Sequence, residues 1–161
     1  MDAEIKKFLE LAKTGDELEK MDAIFFLKQY HSPEIDRLFL DLLSDSSKAV
    51  QEMAAEAIMD QTDNHLFPEI VKLLNSTDIY IRNFVSELLV NMGDRSVPYL
   101  LEAAQEGDHE LKKFALDCLG LIGSPEGLET IVGCLDYDEP NVVNAAIEAL
   151  GKIGDVRALQ P

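Results

Sequence analysis

The chain has 161 residues, enough for one compact domain or one short array of repeats. It carries 31 acidic and 14 basic residues, and this net charge of −17 repels nucleic-acid phosphates and anionic lipid head groups. We therefore expect no nucleic acid and no membrane partner, whereas a basic or apolar protein surface fits. No apolar run approaches the roughly 20 residues of a membrane span, and the N-terminus is charged where a secretory signal is apolar.

The cysteines and histidines do not form a recognisable metal-binding pattern. Cys118 and Cys134 lie on the apolar stripes of predicted helices and lack the paired spacing of a zinc site. We expect both to be reduced core residues, which favours a reducing compartment and a cytoplasmic location. The histidines are far apart in the chain, at His31, His65 and His109. The sequence predicts no metal and no cofactor.

The main pattern is a motif that returns about every 31 residues. Its anchor is an apolar residue at Leu27, Ile58, Leu89, Leu119 and Leu150, with spacings of 31, 31, 30 and 31. Four positions before each anchor stand Ala23, Ala54, Val85, Ala115 and Ala146. These offsets define one face of a helix, which we call a motif helix. In the last three repeats a glycine follows (Gly93, Gly123 and Gly154), which is typical of a left-handed helix end.

A second amphipathic helix is predicted before each motif helix. Prolines stand at or near the starts of four of these helices, at Pro33, Pro68, Pro98 and Pro125. The predicted N-caps of the motif helices are Asp16, Asp78, Asp108 and Asp138. The chain thus divides into five helix pairs, at about 2–31, 32–62, 63–93, 94–123 and 124–155. Because one pair cannot bury its apolar face alone, neighbouring pairs must stack into a single all-α array.

The fifth motif, Asp138-Glu-Pro-Asn-Val-Val-Asn-Ala-Ala-Ile-Glu-Ala-Leu-Gly-Lys-Ile-Gly-Asp, resembles the short HEAT-like repeat of phycobilisome-lyase-type proteins. The third and fourth follow the same pattern, and in the first two His31 and Thr62 replace the glycine. The resemblance implies a right-handed α-α superhelix, an α-solenoid of five HEAT-like helix pairs. It also implies that the motif helices line the concave side.

On each motif helix, the positions six and two before the anchor share a face turned away from the core. We call their predicted partner-binding set the strip: Glu52, Glu56, Asn83, Glu87, Lys113, Asp117, Asn144 and Glu148. The strip is interpreted as a docking surface for a basic segment of another protein or as a solvated helix face. A divalent-cation site at Glu52, Glu56 and Asp60 is a third reading, although it lacks the loop typical of calcium sites.

The sequence favours a non-catalytic interaction module, a scaffold that binds a partner protein, because no catalytic constellation is evident. Deoxyhypusine hydroxylases of the wider family need repeated His-Glu pairs within the motif helix, whereas His109-Glu110 is the only such pair here and lies at a helix start. The basic groove of HEAT-like DNA glycosylases does not fit a charge of −17. The alternative is a phycobilisome or bilin-lyase-like accessory protein, or a subunit of an enzyme complex.

The C-terminal end differs from the other repeats. Residues 155–161 resemble the segment after Gly93, so a sixth helix pair is predicted to start at 156–161. The fifth motif helix keeps the interior pattern with no polar cap: Val142, Ala145, Ala146, Ala149 and Leu150. A solenoid end normally carries a polar capping face. We therefore expect either that the sequence is a piece of a longer repeat protein or that two copies form a homodimer through their C-terminal ends.

Overall fold

The computed structural model describes residues 3–60 and 64–154, and this part of the chain contains helices and no strand. The predicted all-α fold of paired helices is confirmed. The helices are α1 (Ala3–Thr14), α2 (Glu17–Leu27), α3 (Pro33–Leu42), α4 (Lys48–Met59), α5 (Phe67–Lys72), α6 (Ile79–Asn91), α7 (Val97–Glu106), α8 (His109–Ile122), α9 (Leu128–Gly133) and α10 (Pro140–Ile153). Short 3₁₀ turns follow or precede some of them, at Leu73–Asn75, Gly93–Arg95, Pro125–Gly127 and Cys134–Asp136.

The chain forms two compact units, Met1–Leu66 and Phe67–Pro161. The first unit holds α1 to α4 and the second holds α5 to α10. The five repeat boundaries and the single continuous array stay predictions. Thr62, one of the residues that replace the glycine, and the predicted sixth pair at 156–161 lie outside the described residues.

Four motif helices, α2, α4, α6 and α8, begin at side-chain caps, which satisfy backbone N–H groups that have no partner inside the helix. Asp16 accepts from the N–H of Glu19, and the Glu19 carboxylate accepts from the N–H of Asp16. Asp78 and Asp108 cap α6 and α8 as predicted.

The predicted cap at Asp138 is wrong. The helix α10 begins at Pro140, so Glu139 occupies the N-cap position. Proline favours the first helical position because it lacks an N–H and its φ is already helical. This preference moves the start of α10 one residue beyond the one that the acidic pattern indicates.

Glycines end the last three motif helices as predicted. Gly93, Gly123 and Gly154 have φ of 58°, 74° and 64°, which is the left-handed region. Residues with a Cβ rarely adopt it. These glycines let the chain reverse toward the next helix.

The anchor residues form the core of each unit. In the first unit Leu27 and Ile58 are buried with Ala23 and Ala54, and in the second unit Leu89 and Leu119 are buried with Val85 and Ala115. In α10, Ala146 is buried but the anchor Leu150 is only half-buried. The last motif helix therefore packs less completely than its predecessors.

A polar side chain seven residues before the anchor ties three motif helices, α4, α6 and α8, to the segment before each of them. Gln51 Nε2 donates to the backbone carbonyl of Asp45 at 2.7 Å, and Arg82 Nη1 donates to that of Ser76 at 2.8 Å. Lys112 is buried, and its Nζ donates to the carbonyls of Ala104 and Gln105 at the C-terminal end of α7. These bonds satisfy carbonyls that have no partner inside the preceding helix.

Candidate functional site

The second unit carries six of the eight predicted strip residues on three motif helices. The helix α8 packs against both α6 and α10. Glu87 on α6 and Glu148 on α10 are exposed, as are Asn83 and Asn144 one turn earlier. Neither glutamate forms an ion pair or hydrogen bond with another described residue. Both carboxylates are therefore available to a cationic group from outside the chain.

The centre of this part of the strip is neutralised by its own lysine. Lys113 Nζ lies 3.3 Å from Asp117 Oδ2, one helical turn along α8. The same ammonium lies 4.1 Å from the ring centroid of Phe114, and the Arg82 guanidinium lies 4.7 Å from that ring. Cations are attracted to the face of an aromatic ring. Asp117 therefore offers little net charge, and two cations already contact Phe114.

The first unit carries Glu52 and Glu56 on α4. Glu52 Oε1 lies 3.3 Å from Lys48 Nζ, whereas the exposed Glu56 has no ion pair within the described chain. On α2 the Phe25 side chain is 67% exposed, with Lys28 Nζ 5.8 Å from its ring centroid. Each unit thus places paired and unpaired carboxylates side by side.

The pairing of strip carboxylates could have been found in the sequence. Lys48 precedes Glu52 by four residues, and Lys113 precedes Asp117 by four, which is the spacing of neighbours on a helix surface. Because these contacts lie within one helix, the columns of equivalent positions across the repeats do not show them. The column of donors at Lys20, Gln51, Arg82 and Lys112 is a further repeated signal that the sequence reasoning missed.

The described residues bring no metal-binding group together. Within 3–60 and 64–154, no three His, Cys, Asp or Glu side chains are close enough to hold a metal ion. Glu52 and Asp60 instead lie beside lysines, Asp60 Oδ2 at 3.6 Å from Lys28 Nζ. The cation reading of Glu52, Glu56 and Asp60 therefore has no support in the geometry.

Both cysteines are free and buried. Burial raises the pKa of the Cys118 thiol to about 11, against the opposing effect of a hydrogen bond with Ser86 at 3.2 Å. Burial also raises the pKa of Cys134, and the nearby charge of Lys112 partly opposes this. Since the thiolate is the reactive form, these cysteines are poor nucleophiles.

The repeated pairs, glycine ends and carbonyl-capping donors recur with the motif period, and a profile of HEAT repeats matches residues 37–111 and 97–161. The chain belongs to the HEAT-repeat family. The phycobilisome-lyase type within it stays a prediction. No curated protein sequence matches the chain.

Two solved structures of repeat or engineered proteins are similar to this HEAT-repeat chain. A crystal structure of an engineered protein from a structural genomics consortium is 20% identical over 95% of this chain and 80% of the other, with a TM-score of 0.43. A designed armadillo repeat protein in complex with peptide (KR)4 is 17% identical over 98% and 89%, also with a TM-score of 0.43. At these scores the likeness supports no conclusion about function. None of the described helices is both long and apolar enough to cross a membrane.

Proposed function

We propose that this HEAT-repeat protein is a non-catalytic scaffold that binds a basic segment of a partner protein along its motif helices. The observation that carries the proposal is the pair of exposed, unpaired carboxylates Glu87 and Glu148 in the second unit, one on each side of the neutralised centre at Asp117. In the first unit, considered by itself, Glu56 is likewise exposed and forms no ion pair with another described residue. HEAT repeats present extended surfaces suited to binding chains rather than small molecules.

The arrangement of the helices suggests a spacing for the partner's cations. Packed helices lie about 8–10 Å apart, so two steps from α6 to α10 separate Glu87 from Glu148 by about 20 Å. An extended peptide advances about 3.3 Å per residue, so its cations would stand about six residues apart. The Lys113–Asp117 pair between them favours an uncharged residue at the middle of the segment.

The two buried, unreactive cysteines agree with a non-catalytic role and with the predicted cytoplasmic location. The carboxylates of the strip define the class of partner, which is a protein segment with spaced Lys or Arg residues. Nucleic acid and membrane surfaces do not fit the charge of −17.

Isothermal titration with an alanine-rich peptide that carries two Arg residues about six positions apart tests the proposal. The double variant Glu87→Gln/Glu148→Gln should weaken binding at least about tenfold, since it removes two charge-assisted contacts. The matched control is Glu102→Gln/Glu126→Gln, which makes the same change in net charge at exposed glutamates outside the motif helices. Raising the salt from about 0.05 M to about 0.5 M should weaken wild-type binding, because screening lengths become shorter.

Two outcomes contradict the proposal. Equal losses in the strip and control variants would mean that net charge alone attracts the peptide. Binding that is unaffected by salt would mean that the carboxylates of the strip do not take part.

A further inference from the structure

The contact between α8 and α10 shows how one motif helix packs against the next. A Cβ added at Gly120 would lie 2.7 Å from the Cα of Ala149, so the two helix backbones approach closely at this point. Gly120 stands one residue after the anchor of α8, and Ala149 stands one residue before the anchor of α10. Leu116, one turn before Gly120 on the same face, is fully buried. The receiving face therefore consists of a large apolar residue and, four residues later, a glycine.

The α6–α8 contact involves the same position of the following helix. Ser86 stands three residues before the anchor of α6, and its hydroxyl lies 3.2 Å from Cys118 Sγ, one residue before the anchor of α8. In the first unit, the residues at the position of Ser86 are Ile24 and Ala55, and both are buried. This repeat position is thus regularly covered by packing in the earlier motif helices.

The helix α10 carries the same receiving face uncovered. Ile147 occupies the position of Leu116 and is 56% exposed. Gly151 occupies the position of Gly120, and a Cβ added there would meet nothing within 4 Å. Val143 is half-buried and stands seven residues before the anchor of α10, where the other motif helices have a polar hydrogen-bond donor. The repeat position three residues before the anchor therefore holds a buried side chain in α8 and an exposed one in α10.

The stripe that forms this exposed face is itself uncharged, and Glu148 lies beside it, three residues before Gly151. Residues three and four apart lie on the same side of a helix, so Val143, Ile147, Leu150 and Gly151 form one stripe with Asn144 at its edge. In a chain of net charge −17, an uncharged stripe is the place where a second acidic copy meets the least local repulsion. Val132 on α9 and Leu135 in the 3₁₀ turn after it are exposed and add to the apolar surface of the same repeat.

We propose that this stripe of α10 binds the same stripe of a second copy across a two-fold axis near residue 149. Ile147 and Gly151 stand symmetrically about residue 149, so an antiparallel pairing seats the isoleucine of each copy on the glycine of the other. A two-fold interface requires this kind of self-complementarity. The second copy therefore fits because the projecting side chain and the gap lie on one helix.

Stacking of the stripe on the N-terminal end of a second copy fits less well. The residue that would face Gly151 is then Phe26, which stands one residue before the anchor of α2. Its ring stacks on Phe8 at 4.1 Å between centroids and lies 5.4 Å from Tyr30. A phenylalanine held in this way cannot make the close approach that Ala149 makes at Gly120.

The interface is small, so the association should be weak. The 14 residues of α10 span about 21 Å, and an interface of this length lies at the low end of the range for specific complexes. We expect a dissociation constant between about 10 µM and about 1 mM. Dimerisation and peptide binding can be measured separately, because Ile147 and Gly151, which the dimer variants change, are not strip residues.

Analytical ultracentrifugation over this concentration range tests the dimer. The average mass of the wild type should rise from 17.9 kDa toward twice that value. Gly151→Ile and Ile147→Gly should each raise the dissociation constant at least about tenfold. The first variant places an isoleucine against an isoleucine, and the second places a glycine against a glycine. The double variant Ile147→Gly/Gly151→Ile should restore the dimer, since the projection and the gap merely exchange places.

Leu121→Gln is the matched control, since Leu121 on α8 is 57% exposed, almost the same as Ile147. This variant should dimerise like the wild type, whereas Ile147→Gln should not, and both should keep the wild-type circular dichroism. A monomeric wild type at about 1 mM would overturn the proposal. Equal effects of the two glutamine variants, or a double exchange that fails to restore dimerisation, would also overturn it.

Discussion

The motif helices α8 and α10 have the same repeat pattern but different surroundings. Leu116 on α8 is fully buried and Gly120 lies against Ala149 of α10, whereas the equivalent Ile147 is more than half exposed and Gly151 has open space. The repeat pattern therefore selects which face of a helix is apolar. The presence of a following helix decides whether that face is buried.

The polar column differs in the same way. Lys112 of α8 is buried and binds two carbonyls at the end of α7, whereas α10 has Val143 at this position. A buried ammonium needs such acceptors to offset its desolvation. The two helices therefore differ in how they hold the preceding helix as well as in how they receive the next one.

The largest predicted difference between the helices concerns truncation of the apolar side chain. Leu116→Ala should cost about 2–5 kcal/mol of unfolding free energy, because it leaves a cavity in the core. Ile147→Ala should change it by no more than about 0.5 kcal/mol in dilute solution, because the side chain is on the surface. Urea denaturation of both variants measures this. Similar losses would mean that the α10 face is covered within one chain.

The second prediction concerns the two glycines. Gly120→Ala should cost about 1–3 kcal/mol, because the new methyl group meets the backbone of Ala149. Gly151→Ala should instead stabilise the protein by about 0.5–1 kcal/mol, because alanine is the better helix former and the site is open. Thermal unfolding of the two variants should therefore shift in opposite directions. A shift in the same direction would contradict the proposed difference in packing.

The third and smallest effect compares the helix starts. Asp108→Ala should cost about 1 kcal/mol through loss of the N-cap, whereas Asp138→Ala should cost less than about 0.5 kcal/mol because Asp138 caps nothing. Urea denaturation at neutral pH measures both losses. If the two losses are equal, the placement of Glu139 rather than Asp138 at the N-cap position of α10 is wrong.

The Asp108 contribution should depend on pH. The backbone N–H of Leu111, and next the side chain of Asn75, hold the pKa of Asp108 below its usual value. A lowered pKa in the folded state means stability that is complete above the unfolded pKa of about 3.9 and is lost as the pH falls through the folded value. The difference between wild type and Asp108→Ala should therefore shrink below about pH 4. A difference that is constant down to acid pH would contradict this account.

Most of the fold could be predicted because the motif period and the helical period both appear in the sequence. The anchors, the glycine ends and three of the four acidic caps follow from local rules that do not need the neighbours. The cap of α10 required weighing Asp138 against Pro140, and the proline preference won. The exposure of Ile147 and the burial of Lys112 depend on which helix lies next to them, so no local rule gives either.

The strip was predictable as a face but not as a charge distribution. Its residues on α6 and α10 are exposed as a surface requires, yet Lys113 cancels Asp117 at its centre. This cancellation arises from an ion pair within one helix. In the sequence, only the spacing of four residues between Lys113 and Asp117 indicates this ion pair.

Cysteine labelling tests the difference between the two helix faces most directly. In dilute solution, the Ile147→Cys variant should react with a maleimide as fast as an exposed thiol does. Its reaction should become slower when the protein concentration reaches the dissociation constant of the dimer. The Leu116→Cys variant should react at least about 100-fold more slowly, like the buried Cys118, whose pKa of about 11 leaves little thiolate. Both native cysteines should contribute little background for the same reason. Equal protection of the two introduced cysteines at low concentration would contradict the claim that α10 exposes the face that α8 buries.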